Sequence, residues 1–177
     1  METEILYAPQ QVDAALEAMT REIHGAFSAE SSFIIVGIQS GGLNVARRLK
    51  AHLEDLGSPE THLGSVDTTL YRDDIHRLFP GKSLLPMDLP VTVEDAAILL
   101  VDDVIFTGRS ARAAMDALFC LGRPRLIRLA VLVDRGHREL PIQPDYRGFT
   151  VQTRYEDEVR VTWRELTGRV ELFARSA

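Results

Sequence analysis

Two adjacent acids and a hydroxyl-rich glycine turn lie close together near the middle of this chain. Asp102 and Asp103 follow the apolar run 98–101, and the turn 107–110 (TGRS) leads into an Ala-rich stretch. Acids at the carboxyl end of a buried strand lie where open α/β sheets bind ligands. Hydroxyls, backbone N–H groups and a helix dipole converge at such a turn, and together they suit a phosphate. Carboxylates beside it would accept hydrogen bonds from sugar hydroxyls or act as outer-shell partners of Mg²⁺. The spacing therefore indicates a site for a phosphorylated ribose.

A less specific interpretation stands against this one. Two acids after a buried strand also occur in response-regulator receivers and in many Mg²⁺ sites. A Ser or Thr before a helix is usually only an N-cap. The tight order of acids, hydroxyl–glycine turn and helix favours the sugar-phosphate site over both.

The elements that position this site alternate between strands and helices. Short apolar or β-branched runs predict strands over 33–38, 63–71, 97–101 and 126–133. Apolar residues at helical spacing predict helices over 10–27, 43–56 and 111–121. A C-terminal hairpin is predicted over about 159–175, turning at Thr167-Gly168. Alternation of this kind predicts a single domain over 1–177 of the α/β class, an open parallel sheet flanked by helices.

A second glycine turn separates the first core strand from the helix that begins at Leu43. It contains Gln39, Ser40, Gly41 and Gly42. Two glycines let backbone amides approach an anion closely. A pyrophosphate site is one interpretation, and a plain strand-to-helix turn is the other.

The periodic pattern lapses between residues 72 and 94. Pro80, Gly81, Pro86 and Pro90 interrupt it, and charged residues alternate with short apolar pairs. A stretch this long without periodicity inside a compact domain is often a lid over a site. We therefore predict a flexible lid, with a disordered insert as the alternative.

Composition limits the class of protein. The chain has 177 residues, 45% of them hydrophobic, and a formal charge of −6, which argues against a surface made wholly for nucleic acid. We find no apolar run of membrane-spanning length and no export signal at the start, so we expect a soluble cytoplasmic protein. Cys120 is the one cysteine, and we predict a reduced core residue on the apolar side of its helix.

Three segments carry a resemblance to a known family. The run 101–110 (VDDVIFTGRS) resembles the phosphoribosyl pyrophosphate (PRPP) motif of type I phosphoribosyltransferases. The runs 67–74 (DTTLYRDD) and 129–141 (LAVLVDRGHRELP) are similar to one family within that group. That family is the bifunctional pyrimidine operon regulator/uracil phosphoribosyltransferase family, PyrR. The resemblance extends from about residue 34 to 148 and is weak outside 33–155.

The resemblance implies roles for these residues. It implies the type I phosphoribosyltransferase fold, in which Asp102 and Asp103 bind the ribose hydroxyls and stabilise the positive charge that develops on the ring. Arg72 would reach the leaving pyrophosphate when the lid closes. The implied PRPP-binding residues are Gln39, Ser40, Gly41, Gly42, Val104, Ile105, Phe106, Thr107, Gly108, Arg109 and Ser110. Many relatives have a basic residue where this chain has Gln39 or Gly41, so pyrophosphate affinity would rest more on Mg²⁺ and on Arg72. The implied cofactor is Mg²⁺, held chiefly by the oxygens of PRPP rather than by a protein cage.

The base and a nucleic acid are the other implied ligands. Backbone groups of Val133, Asp134, Arg135 and Gly136 would frame uracil. His137 lies between basic residues, which is more typical of a surface histidine than of a general base, and uracil N1–H is acidic enough to need no dedicated base. RNA contacts are implied for Arg21, His137 and Arg138, although the first helix carries Asp13, Glu17 and Glu22 and offers few phosphate contacts.

Three functions follow from the resemblance. The first is a uracil phosphoribosyltransferase that makes UMP and pyrophosphate, with UMP-dependent regulation of pyrimidine operon mRNA. The second is a nucleotide-sensing RNA attenuator with little catalysis, and the third is a phosphoribosyltransferase for another base. PRPP, uracil and UMP are the expected small-molecule partners, leader RNA is the expected macromolecule, and the chain is expected to form a dimer or tetramer without binding membranes.

Overall fold

The structure, a computed structural model, describes residues 2–39, 41–68, 87–164 and 167–174. Its central sheet contains β2 (Ser32–Ile38), β3 (Glu60–Val66), β4 (Met87–Asp88), β5 (Ala97–Ile105), β6 (Leu126–Asp134) and β7 (Tyr146–Thr150). The six strands lie in the order β4-β3-β2-β5-β6-β7. All neighbours pair in parallel except β3 and β4, which pair antiparallel. The predicted open, mainly parallel α/β sheet is therefore confirmed.

Helices cover both faces of this sheet. They are α1 (Pro9–Phe27), α2 (Gly41–Asp55) and α3 (Arg109–Phe119). Along β2, Phe33 and Ile35 pack in one core with α1 and α2, whereas Ile34 and Val36 pack in a second core with α3. Successive side chains of a strand point to opposite faces, so a continuous apolar run is what a strand buried on both sides requires.

A separate three-stranded antiparallel sheet lies against the α1 side of the core. It contains β1 (Glu2–Tyr7), β8 (Glu158–Arg164) and β9 (Thr167–Ala174). β8 and β9 pair as an antiparallel hairpin from Glu158↔Phe173 to Arg164↔Thr167, so Thr167 and Gly168, predicted as its turn, lie in β9 instead. Val159 and Val170 join the core of α1 and α2. The strand β1 was not predicted, because its polar start gives no strand pattern and it is held by pairing with β9, at the far end of the chain.

The strand β5 is longer than predicted, and this places the acids inside it. The prediction ended at Val101, whereas the strand continues to Ile105. Pairing with β2 ends at Gly37↔Val101, while pairing with β6 continues through Asp102↔Val131 to Ile105↔Asp134. The backbone of the acids therefore lies beside β6 on one side only, and the turn that starts α2 occupies the other side.

The bounds of three elements, one missed strand and the position of Cys120 also differ from the sequence predictions. The helices α2 and α3 both begin two residues before their predicted starts, and β3 begins earlier than predicted and ends at Val66. The edge strand β7 was missed because its sequence, YRGFT, contains an arginine and a glycine. Cys120 is exposed just after α3 rather than buried in the core. The predicted reduced state stays a prediction.

The predicted lid, 72–94, lies mostly outside the described residues. Its described part, 87–94, contains β4 and the buried side chain of Val93. The side chains of Met87, Leu89 and Val91 in this part also pack on the α3 face of the sheet. Within the described ranges, no helix is long and apolar enough to cross a membrane.

Candidate active site

The acid pair lies at the carboxyl-terminal end of β5, where the sheet opens. Asp102 is 8% exposed, and its Oδ1 accepts a hydrogen bond from the N–H of Asp103 at 2.9 Å. Asp103 is half-buried, and its Oδ1 accepts one from the N–H of Val104, also at 2.9 Å. Burial raises the pKa of Asp102 well above the ordinary value, and the charge of Asp103 raises it further. Burial also raises the pKa of Asp103. Two desolvated carboxylates of this kind favour a positively charged or hydroxyl-donating ligand.

The turn 107–110 forms one end of a cleft beside these acids. A cavity of about 220 Å³ is lined by Asp102 and by residues 104–111. Gly108 has φ +90°, and a Cβ built there would lie 3.5 Å from Cβ of Ile142. The carbonyl of Thr107 accepts hydrogen bonds from the N–H groups of Glu139 and Leu140, at 3.0 and 3.2 Å. The turn is thus fixed from behind. The first N–H groups of α3 have no partners within the helix, which suits them to an anion.

The second glycine turn meets the acid pair directly. The N–H of Gln39 donates to the carbonyl of Val66 at 2.9 Å, and its Nε2 donates to Oγ of Ser65 at 3.1 Å. A Cβ built on Gly41 would lie 1.9 Å from Oδ2 of Asp103. One built on Gly42 would lie 2.4 Å from the carbonyl oxygen of Val101. Only glycines let the start of α2 lie on the carboxylates, so the two turns and the acids share one edge of the sheet.

The loop after β6 closes the cleft on its other side. The guanidinium of Arg135 lies 4.2 Å from the ring centroid of Phe106. Its nitrogens donate to Oγ1 of Thr153 at 3.3 Å and to the carbonyl of Arg154 at 2.9 Å. Burial lowers its pKa. The side chain of Arg135 therefore holds residues 153–155 in place, and only its backbone is left to meet a ligand.

Arg138 and His137 are also engaged inside the protein. The guanidinium of Arg138, 12% exposed, forms an ion pair with Asp134 at 2.7 Å. It also donates to the carbonyls of Phe106 and Ile142, at 2.9 and 3.0 Å. His137 has φ +60°, and its Nε2 lies 2.8 Å from the carbonyl oxygen of Thr153, a contact in which the ring nitrogen is the donor. Of the residues predicted to contact RNA, only Arg21 on α1 is exposed.

Two other predicted site residues have side chains that point into the cores, so only their backbone faces the same edge of the sheet. The side chain of Ile105 packs in the core with α3, and that of Val133 packs in the core with α1. Gly136 has φ +75°, and it lines a cavity of about 490 Å³ together with Asp134 and residues 150–153. Arg72 and Ser40 fall outside the described residues. Among the described residues, no cluster of three or more metal-binding side chains occurs.

Two residues of the site were missed by sequence reasoning. Glu139 lies within the run 129–141, but the resemblance implies no role for it, and Tyr155 lies where the resemblance fades. In the structure, the ring of Tyr155 packs against Phe106, with centroids 5.0 Å apart, and its hydroxyl donates to Glu139 at 2.7 Å. A single aromatic in the otherwise polar run TRYEDE was the available signal.

Comparison with known proteins agrees with this geometry. The family model for the phosphoribosyl transferase domain matches residues 2–165. Bifunctional protein PyrR of Chloroflexus aurantiacus is 42% identical over 94% of this chain and 91% of its own length. That of Geobacter sulfurreducens is 44% identical over 85% of both chains. Among solved structures, the hypoxanthine phosphoribosyltransferase of Trypanosoma cruzi superimposes with a TM-score of 0.71 at 16% identity, covering 94% of this chain and 95% of its own. The chain therefore belongs to the phosphoribosyltransferase domain family and, within it, to the PyrR proteins.

Proposed function

We propose that this protein transfers the phosphoribosyl group of PRPP to uracil, forming UMP and pyrophosphate. The observation that carries the proposal is the meeting of three elements at one edge of the sheet. The start of α2 lies on Asp103, the acid pair lies near the carboxyl end of β5, and the turn 107–110 lines the cavity beside the acids. PRPP has a group for each of them: a pyrophosphate, ribose hydroxyls and a 5′-phosphate.

The acids supply the main electrostatic contribution. The bond from ribose C1 to pyrophosphate breaks while the ring carbon gains positive charge, as in glycoside cleavage. Asp102 and Asp103 are fixed by hydrogen bonds to the N–H groups of Asp103 and Val104, so they need little reorganisation to face that charge. Their raised pKa values mark ionised forms that the protein alone stabilises poorly and that a cationic ring would stabilise.

The leaving pyrophosphate needs positive charge that the second glycine turn does not provide, since Gln39, Gly41 and Gly42 are uncharged. The chemistry of the donor set fits Mg²⁺, because carboxylate oxygens of Asp102 and Asp103 suit its water shell. When bound, Mg²⁺ would supply charge neutralisation for pyrophosphate. The Asp103 carboxylate would otherwise repel the anion, because it lies under Gly41.

Uracil would be read mainly by backbone groups of residues 133–136, next to the ring of Phe106. The bond from uracil N1 to ribose C1 forms as the bond to pyrophosphate breaks, and the acidic N1 proton passes to water or to the departing pyrophosphate, so no side chain is required to remove it. Nε2 of His137 points its own hydrogen at the carbonyl of Thr153 and is not available as a base at that atom. Catalysis of the transfer to uracil relies on the positioned acids and on the departure of pyrophosphate rather than on a general base.

The test is a panel of bases assayed with PRPP and Mg²⁺. Uracil, orotate, hypoxanthine and guanine are supplied separately, and nucleotide formation is followed by chromatography. We expect UMP as the main product. Faster conversion of orotate or a purine would overturn the assignment of uracil while leaving the phosphoribosyltransferase intact. The solved structures similar to this chain are named as hypoxanthine phosphoribosyltransferases. At 16% and 18% identity they are informative about the fold and not about the base.

The Gly41→Ala substitution tests whether the second glycine turn belongs to the site. The new Cβ would meet the Asp103 carboxylate at 1.9 Å, so either the acid or the start of α2 must move. Small displacements of this kind are expensive in catalysis, and we expect kcat/KM for PRPP to fall about tenfold. Gly25→Ala is the matched control, because a Cβ there meets nothing within 4 Å on helix α1. Equal activity of the two variants would remove the turn from the PRPP site.

Regulation through RNA is the second candidate, favoured by the name of the relatives, bifunctional protein PyrR. The internal contacts of Arg135 and Arg138 argue for a weak interaction, since these guanidinium groups already have acceptors. The proposed dimer or tetramer would multiply the exposed Arg21. An RNA attenuator with little catalysis would show UMP-dependent binding to a pyrimidine operon leader hairpin and no turnover in the base panel.

We expect RNA binding to be weak at physiological salt. With few cations engaged, log affinity should fall with log salt at a slope of about −2 or shallower. Filter binding to the leader RNA of a pyrimidine operon, with and without UMP, measures both quantities. Arg21→Ala should remove part of the remaining affinity, and Arg123→Ala, another exposed arginine after α3, is the matched control. Nanomolar binding strengthened by UMP would contradict the expectation.

A further inference from the structure

Glu139 connects the phosphate turn to the opposite wall of the cleft. Its Oε2 accepts a hydrogen bond from Nε of Arg109 at 2.9 Å, and its Oε1 accepts one from the hydroxyl of Tyr155 at 2.7 Å. Its backbone N–H donates to the carbonyl of Thr107 at 3.0 Å. A single residue thus holds the turn 107–110 by two contacts and residue 155 by a third.

The two ends of this connection lie on different parts of the site. Arg109 is the first residue of α3 and follows Gly108 in the phosphate turn. Tyr155 belongs to the segment 153–157, which precedes β8. Its ring lies 5.0 Å from the centroid of Phe106 and 5.8 Å from that of His137. Tyr155 therefore lies beside the loop after β6, which we propose binds uracil.

Tyr155 depends on this contact more than a core residue would. Its side chain is 53% exposed, so burial contributes little to its position. The hydrogen bonds from Tyr155 and Arg109 lower the pKa of Glu139, which keeps the carboxylate charged at neutral pH. Hydrogen bonds to a charged acceptor are the stronger kind, although solvent screens them at an exposed site.

We propose that Glu139 is a positioning residue that couples the phosphate turn to the segment 153–157. The inference rests on the proposed function, because it assumes that the 5′-phosphate binds at residues 107–110. Phosphate that orders the turn also fixes Arg109, then Glu139, and through it Tyr155. The wall beside the base would then be set before uracil arrives, which favours binding of PRPP first.

Hydrogen exchange of backbone amides tests the coupling without any base. Ribose 5-phosphate is the probe, since it carries the phosphate and lacks pyrophosphate. In the unaltered protein we expect exchange to slow in both 107–110 and 153–157. In Tyr155→Phe and Glu139→Gln, the slowing should persist at 107–110 and fall at least about threefold at 153–157. Tyr7→Phe and Glu54→Gln, which remove a hydroxyl and a carboxylate elsewhere, should behave as the unaltered protein.

The outcomes separate the two proposals. If ribose 5-phosphate slows neither segment, the phosphate site is wrong and the proposed function fails with it. If it slows 107–110 alone in the unaltered protein, the phosphate site stands and the coupling is overturned. Slowing of both segments in every variant also overturns the role of Glu139.

Steady-state kinetics give a second readout that a merely structural role would not produce. Tyr155→Phe should raise KM for uracil about fivefold while kcat and KM for PRPP stay within about twofold. In the Glu139→Gln background, the same substitution should have a smaller effect than in the unaltered protein, because the neutral amide oxygen is a weaker acceptor for its hydroxyl. Independent, multiplying effects of the two substitutions would contradict the coupling, and a proportional fall in kcat would indicate general damage.

Discussion

Asp102→Asn and Asp103→Asn should each lower kcat about 100-fold while raising the free energy of unfolding. Asparagine keeps the shape of the side chain and much of its hydrogen bonding, but it removes the charge that faces the developing cation. A preorganised charge of this kind is worth a few kcal/mol in the transition state. KM for PRPP should change less than kcat, because the ground state carries little of that positive charge.

The gain in stability follows from the direction of the pKa shifts. Burial raises the pKa of both carboxyls in the folded protein. The folded state then binds protons more tightly than the unfolded chain, so stability is highest below the ordinary pKa of aspartate and is lost as pH rises through the raised values. Neutral pH lies far above the ordinary pKa of aspartate, so the raised pKa values count against the fold there, and asparagine, which does not ionise, removes this effect. Urea denaturation at neutral and at acidic pH measures it, and the advantage of the variants should shrink at the acidic pH.

Asp116→Asn is a suitable control for both measurements. Asp116 forms an exposed ion pair with Arg112 on α3, so its loss should alter kcat by less than about twofold and stability by about 0.5 kcal/mol or less. Full turnover in both Asp102→Asn and Asp103→Asn would end the assignment of the acids to catalysis. Lower stability in both variants would contradict the account of their burial.

The parts of the site that were predictable are those contained in one short stretch. The residues Asp102, Asp103 and 107–110 could be placed from sequence because the strand, the acids and the helix start follow one another. The contact of Gly41 with Asp103 could not be predicted, since the two residues are far apart in the chain. It exists because pairing between β2 and β5 ends at Val101 and leaves that side of the acids to the start of α2.

The loop after β6 shows the opposite case. Its local sequence predicted exposed basic side chains, whereas in the fold two of them make internal contacts. A run containing Arg135, His137 and Arg138 indicates a basic surface when only its neighbours in the chain are considered. Two of these cations are turned inward by acceptors that only the folded chain provides, namely the carbonyls of Phe106 and Arg154. A carboxylate from the end of β6, Asp134, completes the set. Tertiary acceptors of this kind leave no periodic signal.

Arg138→Met should therefore lower the free energy of unfolding by about 3 kcal/mol, because it leaves the buried Asp134 without its main partner. Asp134 is 4% exposed, and its ion pair with Arg138 at 2.7 Å is the shorter of two, since Arg147 lies at 3.5 Å with an exposed side chain. Arg147 can compensate in part, which places the expected loss at the lower end for a broken buried pair. The carbonyls of Phe106 and Ile142 also lose a donor.

Arg128→Met is the matched control for this substitution. Arg128 pairs with Asp145 at 2.8 Å, but about half of its side chain is exposed, so its loss should be worth about 1 kcal/mol or less. Denaturant unfolding of the three proteins, compared at equal slopes, gives the difference directly. If Arg138→Met were as stable as Arg128→Met, the guanidinium of Arg138 would not be bound internally and could again be offered to RNA. A large loss in Arg138→Met alone would instead assign this arginine to the fold, and any effect of its substitution on RNA affinity would then have to be corrected for unfolded protein.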